Sequence, residues 1–390
     1  MIKFIEKYIL THWQELFSTI FSPNSSYSPL LPGESPSPAQ GVSLSCQRRG
    51  QGEVGEGIKK PQKLNYLLLQ RYQEPRPYET QRIVILFFIK NSCTPLICAK
   101  LCKDKNYESS LEHEFNILNE VYGQLTFPYQ FPIPIKLAEI NGSKVLFATA
   151  VHGMSLQTDL YNIWNTFGKD KIQETIKNHF ELVGDFIKYF YQFNIEGNDI
   201  YPPDHVHNLI KPVIDNYLNL TNQHIKINLI KQQRDKFYKI VVDLINLPVK
   251  TLIKPKIIHG DLVPANIFLS DSNSTLGIID WESAHHETYW AFLDVYDFIF
   301  NYFHICHNVC MFEHKNPVNS FYDIFILKNN WFAQIINGFY FKIFNEDISI
   351  NKLLLYLIYR LYKIKEPDLT KINFFDALIN ICFKELIYTE

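Results

Sequence analysis

The pattern of apolar and polar positions changes character three times along the chain. Residues 1–21 carry a stripe at helical spacing, which predicts an amphipathic helix; its members are Ile2, Ile5, Ile9, Trp13, Leu16 and Ile20. Residues 22–62 hold 6 of the 20 Pro and 6 of the 15 Gly, a composition typical of a flexible linker. From Leu64 the runs favour strands, and beyond Gly153 they favour helices.

Residues 63–151 predict a small α+β lobe. Five strand-like runs surround one helix at Ser109–Tyr122, and the Asn141-Gly142 pair marks a hairpin turn. The runs are Leu64–Tyr72, Gln81–Lys90, Pro95–Cys102, Ile135–Ile140 and Lys144–Val151. Residues 152–390 predict a larger, mostly helical C-lobe, with helices at Leu156–Phe167, Lys171–Phe193, His207–Leu220 and Gln232–Leu247, and from Phe292 onward.

Composition narrows the class of protein. With 38 Lys and Arg against 40 Asp and Glu, no global field favours nucleic acid or anionic lipid. No apolar run reaches the roughly 18 residues of a membrane span, and seven cysteines without regular spacing are typical of reduced thiols, so we expect a cytoplasmic protein. For the stripe in residues 1–21 we favour docking on the protein's own body or on a partner protein, with a membrane surface as the alternative.

Four polar residues lie where apolar runs end. His259, Asp261 and Asn266 fall on a turn between apolar segments, and Asp280 ends the apolar run Gly277–Ile279. A carboxylate facing a substrate hydroxyl, together with an amide and a carboxylate facing Mg²⁺, is the donor set that phosphoryl transfer from a nucleotide requires.

This segment resembles the signature of the aminoglycoside phosphotransferase and choline kinase-like families, H-G-D-x-x-x-x-N followed by I-D-W/F. The resemblance runs from about Leu64 to the C-terminus and implies a two-lobed protein kinase-like fold. It implies that Asp261 is the catalytic base, that His259 braces the loop, and that Asn266 and Asp280 ligate Mg²⁺. It also matches Asp294 to a structural acidic residue that opens a C-lobe helix.

The N-lobe extends the resemblance. Lys100, on the third predicted strand, resembles the lysine that grips the nucleotide phosphates, and Glu114 resembles its helical partner, with Glu112 as the rival. The stretch before Gly153 resembles the hinge that holds adenine. The resemblance implies that the Ala148 carbonyl and the Ala150 amide contact the adenine ring.

Two features depart from the family pattern. The loop Gln73–Thr80, which should cover the phosphates, contains no glycine, so close backbone approach to phosphates is harder here. Cys98 lies two residues before Lys100 on the same strand and therefore faces the same side. We expect its thiol to line the adenine pocket.

The sequence therefore predicts a Mg²⁺-dependent kinase that transfers the γ-phosphate of ATP or GTP to a hydroxyl of a small molecule. An aminoglycoside, an amino alcohol and a sugar all remain open as acceptors; a cationic one would use carboxylates and aromatic rings such as Glu282, Glu287, Trp281 and Trp290. The alternative is a catalytically weak, kinase-like module that binds nucleotide or a partner.

Overall fold

The computed structural model describes residues 1–18, 61, 63–70, 82–124, 129–193, 257–270, 275–286, 291–362 and 369–389, with scattered positions between 212 and 243. Four predicted segments lie wholly or mostly outside the described residues: the linker 22–62, the glycine-free loop Gln73–Thr80, and the helices His207–Leu220 and Gln232–Leu247.

The chain forms two compact units. The first contains Met1–Ser155 and Asn266–Ala284, and the second contains Leu156–Ala265 and His285–Glu390. The segment Asn266–Ala284, which the sequence places within the C-lobe 152–390, thus groups with the strand-rich unit. The two candidate metal ligands Asn266 and Asp280 belong to this segment.

The first unit is built on a five-stranded antiparallel sheet in the order β1-β2-β3-β5-β4. Helix α3 follows β3, and a second, three-stranded sheet has the order β6-β7-β8. The elements are α1 (Ile2–Thr11), α2 (Trp13–Ser18), β1 (Asn65–Gln70), β2 (Arg82–Phe88), β3 (Ile97–Cys102), α3 (Glu108–Gln124), β4 (Pro134–Ile140), β5 (Ser143–Thr149), β6 (Met154–Ser155), β7 (Ile267–Leu269) and β8 (Leu276–Ile278).

Local sequence explains how the main sheet is formed. Strand β3 alternates buried and partly exposed residues up to Lys100, which gives it one face on the core and one face outward. The β4–β5 hairpin turns at Asn141 and Gly142, whose φ angles of 52° and 71° suit a tight turn that asparagine and glycine tolerate. The predicted α+β class, with one helix between the third and fourth strands, is confirmed.

The N-terminal stripe packs on the protein's own sheet. Four of its side chains are buried in one cluster with the core-facing residues of the sheet, among them Ile85, Phe87 and Phe147; the four are Ile5, Ile9, Trp13 and Leu16. The Leu64 amide donates to Glu6 Oε1 at 3.3 Å, and Lys136 on β4 forms an ion pair with Glu15. Docking on the protein's own body therefore accounts for the apolar face of α1 and α2.

The second unit is mostly helical. Helix α6 is buried along almost its whole length and carries Asp294 in its first turn. The described helices are α4 (Leu156–Phe167), α5 (Lys169–Phe193), α6 (Phe292–Asn308), α7 (Pro317–Phe321), α8 (Trp331–Phe344), α9 (Ile350–Tyr362) and α10 (Leu369–Thr389), with a π-helical turn at Tyr322–Ile326. Within the described ranges, no helix combines the length and apolar character needed to cross a bilayer.

Candidate functional site

An ion-paired cluster lies on the outward face of β3. Lys100 Nζ donates to Glu114 Oε1 at 2.6 Å and to Asp280 Oδ1 at 3.1 Å. Glu114 comes from α3 and is only 1% exposed, whereas Asp280 follows β8. The first unit thus brings together three of the residues that the sequence assigned to nucleotide and metal binding. Glu112, the rival to Glu114, instead pairs with Lys144 on β5.

The charge of Lys100 is fixed by its partners. Burial disfavours the ammonium form, but the carboxylates of Glu114 and Asp280 outweigh burial and raise the pKa of Lys100 far above its ordinary value. Lys100 is therefore a permanent cation with two carboxylates in contact. Such a cation suits the binding of phosphate oxygens, whose charge it offsets.

Asp280 holds an unusual backbone conformation. Its φ of 67° and ψ of 61° lie in the left-handed region, which a non-glycine residue adopts at a cost of about 1 to 2 kcal/mol. The conformation turns the chain from β8 into the 3₁₀ turn Trp281–Ser283. Trp281 anchors the turn, because it is fully buried and its Nε1 donates to the Ile278 carbonyl at 3.2 Å. A strained residue held this firmly is typical of a functional position.

Asn266 and Asp280 lie at the same end of the β7–β8 pair. Asn266 precedes β7 and Asp280 follows β8, and the Ile279 amide donates to the Asn266 carbonyl at 3.0 Å. A carboxylate and an amide oxygen fit Mg²⁺, which in nucleotide sites takes one or two protein oxygens and completes its shell with phosphate and water. No three His, Cys, Asp or Glu side chains within the described ranges are placed to hold a metal by themselves.

Arg82 joins this cluster, although no sequence pattern pointed to it. Its Nη1 donates to Glu114 Oε2 at 2.7 Å, its Nη2 donates to Ser110 Oγ at 2.9 Å, and Nη2 also pairs with Glu282. Burial and the repulsion of Asp280 raise the pKa of Glu282, and the opposing effect of the Arg82 and Lys100 cations is smaller. The strand register reveals Arg82. On β2, Arg82 lies opposite Cys102 of β3, just as Val84 lies opposite Lys100.

The predicted hinge residues lie at the end of β5. Ala148 pairs in register with Cys98, and the Ala150 amide donates to the Leu96 carbonyl at 3.3 Å. Adenine would have to replace that bond to use the Ala150 amide. Cys98 lies on the same partly exposed face of β3 as Lys100, and burial raises the pKa of its thiol to about 11.

The second unit holds the loop His259–Asp261. Asp294 accepts hydrogen bonds from the amides of His259 and Gly260, at 2.8 and 2.7 Å, and from the Tyr191 hydroxyl at 3.2 Å. His259 is 1% exposed, which agrees with a bracing role, whereas Asp261 is partly exposed. The loop that carries the candidate base is therefore fixed by a buried carboxylate.

A partly buried ion pair lies near this loop. Arg360 donates to Asp297 Oδ1 at 3.2 Å, and the Tyr356 hydroxyl donates to the same oxygen at 3.0 Å. The Asp297 carboxylate, and to a smaller degree the Asp261 carboxylate, raise the pKa of Arg360. The second unit thus places a permanent cation close enough to Asp261 to be influenced by its charge.

Of the four residues named for a cationic substrate, the two that the structure describes do not line an open pocket. Trp281 is fully buried and Glu282 is paired with Arg82. Glu287 and Trp290 lie outside the described residues.

No protein-family model matches the sequence, and no curated protein matches it. Solved structures of similar fold include the GDP complex of aminoglycoside 2′-phosphotransferase-IIIa, with 13% identity, 84% of this chain and 94% of that chain covered, and a TM-score of 0.45. An aminoglycoside phosphotransferase from Streptomyces rimosus shows 11% identity, coverage of 80% and 92%, and a TM-score of 0.42. A Plasmodium vivax ethanolamine kinase shows 13% identity, coverage of 82% on each side, and a TM-score of 0.39. Structures from the families predicted from the sequence are therefore among those that this chain resembles.

Proposed function

We propose that this protein is a small-molecule kinase, which transfers the γ-phosphate of ATP or GTP to a hydroxyl group of a small acceptor. The observation that carries the proposal is the contact of Lys100 with both the buried Glu114 and Asp280, the latter in a strained backbone conformation. A cation fixed beside a carboxylate at a strand end is suited to bind the phosphates of a nucleoside triphosphate and its metal ion.

The first unit would hold the nucleotide. In this proposal Lys100 binds phosphate oxygens and Glu114 keeps its ammonium in place, while Asn266 and Asp280 would hold Mg²⁺. When bound, Mg²⁺ supplies charge neutralisation on the phosphate oxygens. The Ala148 carbonyl and the Ala150 amide are the proposed contacts to the adenine ring, with Cys98 beside them on the neighbouring strand.

The second unit would supply the group that acts on the acceptor. Asp261 is partly exposed and follows Gly260, whose amide is fixed by Asp294. In this proposal its carboxylate accepts the proton of the acceptor hydroxyl, or orients that hydroxyl toward the γ-phosphate. His259 braces the loop, since its buried position leaves Asp261 as the better base.

A second candidate function is a nucleotide-binding or partner-binding module with weak or no catalysis. The bond of the Ala150 amide to Leu96 and the absence of glycine from the loop Gln73–Thr80 favour it. The candidate base and the two candidate metal ligands oppose it, because a module without chemistry has no reason to keep them all at the spacing of the motif. We therefore favour the enzyme.

Two measurements test the proposal. Thermal unfolding with ATP or GTP should shift upward only when Mg²⁺ is present, and a screen of nucleotide consumption over sugars, amino alcohols and aminoglycosides should reveal the acceptor. The variant Asp261→Asn should then lose about three orders of magnitude in turnover while binding nucleotide normally. Asp323→Asn, which alters a partly exposed carboxylate paired with His314 in the turn after α7, is the matched control and should keep full turnover. Undiminished turnover in Asp261→Asn would exclude this mechanism.

A further inference from the structure

Arg82 is the first residue of β2, and the register of the sheet brings it beside Lys100. It pairs with Cys102 across β2 and β3, whereas Lys100 pairs with Val84, so the two cations are diagonal neighbours on one face. Diagonal neighbours on a sheet are close enough for long side chains to share a partner. The shared partner here is Glu114.

The two cations divide the oxygens of Glu114 between them. Lys100 binds Oε1 at 2.6 Å, and Arg82 binds Oε2 at 2.7 Å. The second guanidinium nitrogen of Arg82 reaches Ser110, one turn before Glu114 on α3, and also pairs with Glu282. Arg82 therefore connects a strand to two positions on α3 and to the turn after Asp280.

The burial of Arg82 limits what it can do. Its side chain is only 8% exposed, and its guanidinium contacts carboxylates and a hydroxyl of the protein. Together Arg82 and Lys100 set two positive charges against three carboxylates, those of Glu114, Asp280 and Glu282. If phosphate groups bind Lys100 and a metal ion binds Asp280, Arg82 is the cation that stays in contact with Glu114.

We propose that Arg82 is a positioning residue of the nucleotide site, which clamps Glu114 from the neighbouring strand so that Lys100 stays aimed when its other contacts change. This inference rests on the proposed function for its nucleotide. Arginine suits the task because its planar fork reaches Glu114, Glu282 and Ser110 together, which the single ammonium of a lysine does not. The clamp comes from β2, the strand that follows the glycine-free loop in the sequence.

The first experiment compares ATP with adenosine, because only ATP carries the phosphates that Lys100 would bind. Calorimetric titration in the presence of Mg²⁺ should show Arg82→Met binding ATP on the order of tenfold more weakly, with adenosine unaffected, and Arg82→Lys lying in between. The control is Lys144→Met, which removes a different ion pair between α3 and the sheet, that of Lys144 with Glu112. It should bind both ligands like the unmodified protein. Equal ATP affinity in all four proteins would overturn the proposal.

A second comparison separates positioning from direct phosphate contact. If Arg82 acts through Lys100, the double variant Lys100→Met with Arg82→Met should bind ATP no more weakly than Lys100→Met alone. If Arg82 binds phosphate itself, the two losses should add, and the positioning role would be wrong.

A third measurement needs no nucleotide and so stays decisive if the proposed function fails. Arg82 repels the neighbouring ammonium of Lys100 and shares Glu114 with it, so Arg82→Met leaves Lys100 as the single cation in contact with Glu114 and favours its unreactive, protonated form. Mass spectrometry after treatment with an amine-acylating reagent should show Lys100 modified several-fold more slowly in Arg82→Met than in Lys144→Met. Unchanged acylation would contradict the clamp, whereas absence of any ATP binding with slower acylation would refute the kinase proposal and leave the clamp standing.

Discussion

Two buried carboxylates, one in each unit, are stabilised in opposite ways. Glu114 and Asp294 are each only 1% exposed. Glu114 is held by two side-chain cations, Lys100 and Arg82. Asp294 is held by uncharged donors, two backbone amides and the Tyr191 hydroxyl. A buried charge can thus be offset by full charges or by oriented dipoles, and each solution has its own consequence for function.

The difference fits the role proposed for each unit. Side-chain ion pairs can exchange partners, and Lys100 and Asp280 would have to do so when phosphate and metal arrive. The backbone amides of the loop before Asp261 cannot turn to other partners as long side chains can, so this loop stays fixed on Asp294. Gly260 makes that arrangement feasible, because its φ of 74° turns the amide toward Asp294 at no steric cost. We infer an adjustable nucleotide site and a rigid acceptor loop.

The largest expected effect comes from removing the charge of Asp294. In Asp294→Asn the amide group of the new side chain would face N–H donors, and at least one buried donor would lose its acceptor. We expect a loss of about 3 kcal/mol in the free energy of unfolding, because unsatisfied buried donors are costly. Guanidinium unfolding followed by circular dichroism measures it. Asp323→Asn should leave the midpoint nearly unchanged, and similar midpoints for both variants would contradict the anchoring role.

The next effect tests the other carboxylate. Glu114→Gln should lose about 2 kcal/mol of stability, because charge-assisted hydrogen bonds to Lys100 and Arg82 become weaker, neutral ones. It should also weaken ATP binding, which Asp294→Asn should affect less. Glu112→Gln, two residues earlier on α3, removes an exposed ion pair and should change neither property. An effect of Glu112→Gln as large as that of Glu114→Gln would show that Glu114 has no special position.

The cluster around Glu114 also shows what the sequence can predict. Lys100 and Glu114 were predictable because they resemble, in type and order along the chain, the strand lysine and helix glutamate of the kinase-like families. Arg82 was missed, because its partners Ser110, Glu114 and Glu282 lie 28, 32 and 200 residues away in the chain. Only the register of β2 against β3 brings it to Lys100, and register depends on the folded sheet.

Backbone facts were equally out of reach. The motif identified Asp280 but gave no sign of its left-handed conformation. The family pattern assigned the Ala150 amide to adenine, whereas the sheet supplies it with the Leu96 carbonyl. In the second unit the motif likewise suggested a brace at Asp294 without naming Tyr191 as a third donor.

A smaller effect on stability is expected when a glycine of each unit is replaced by alanine. Gly277 on β8 is packed so closely that an added Cβ would lie 2.1 Å from Val151 Cγ1, whereas one added at Gly338 on α8 would meet no atom within 4 Å. Gly277→Ala should therefore cost about 1 to 2 kcal/mol through overpacking. Gly338→Ala should stabilise the protein by up to about 1 kcal/mol through helix propensity. Thermal unfolding compares them, and Val151→Ala should rescue Gly277→Ala. Failure of that rescue would refute the steric explanation.

The last prediction concerns reactivity and leaves stability unchanged. Burial raises the pKa of Cys98 to about 11, so at pH 7.5 its reactive thiolate is scarce. Iodoacetamide should alkylate Cys98 on the order of 100-fold more slowly than the exposed Cys310. Because the thiolate fraction grows about tenfold per pH unit below the pKa, the Cys98 rate should still be rising at pH 9.5. ATP with Mg²⁺ should slow the labelling of Cys98 and leave Cys310 unaffected, with Cys98→Ser identifying the labelled peptide. Equal labelling of Cys98 with and without nucleotide would contradict its proposed place in an adenine pocket. Glu114→Gln would still test the Lys100 cluster.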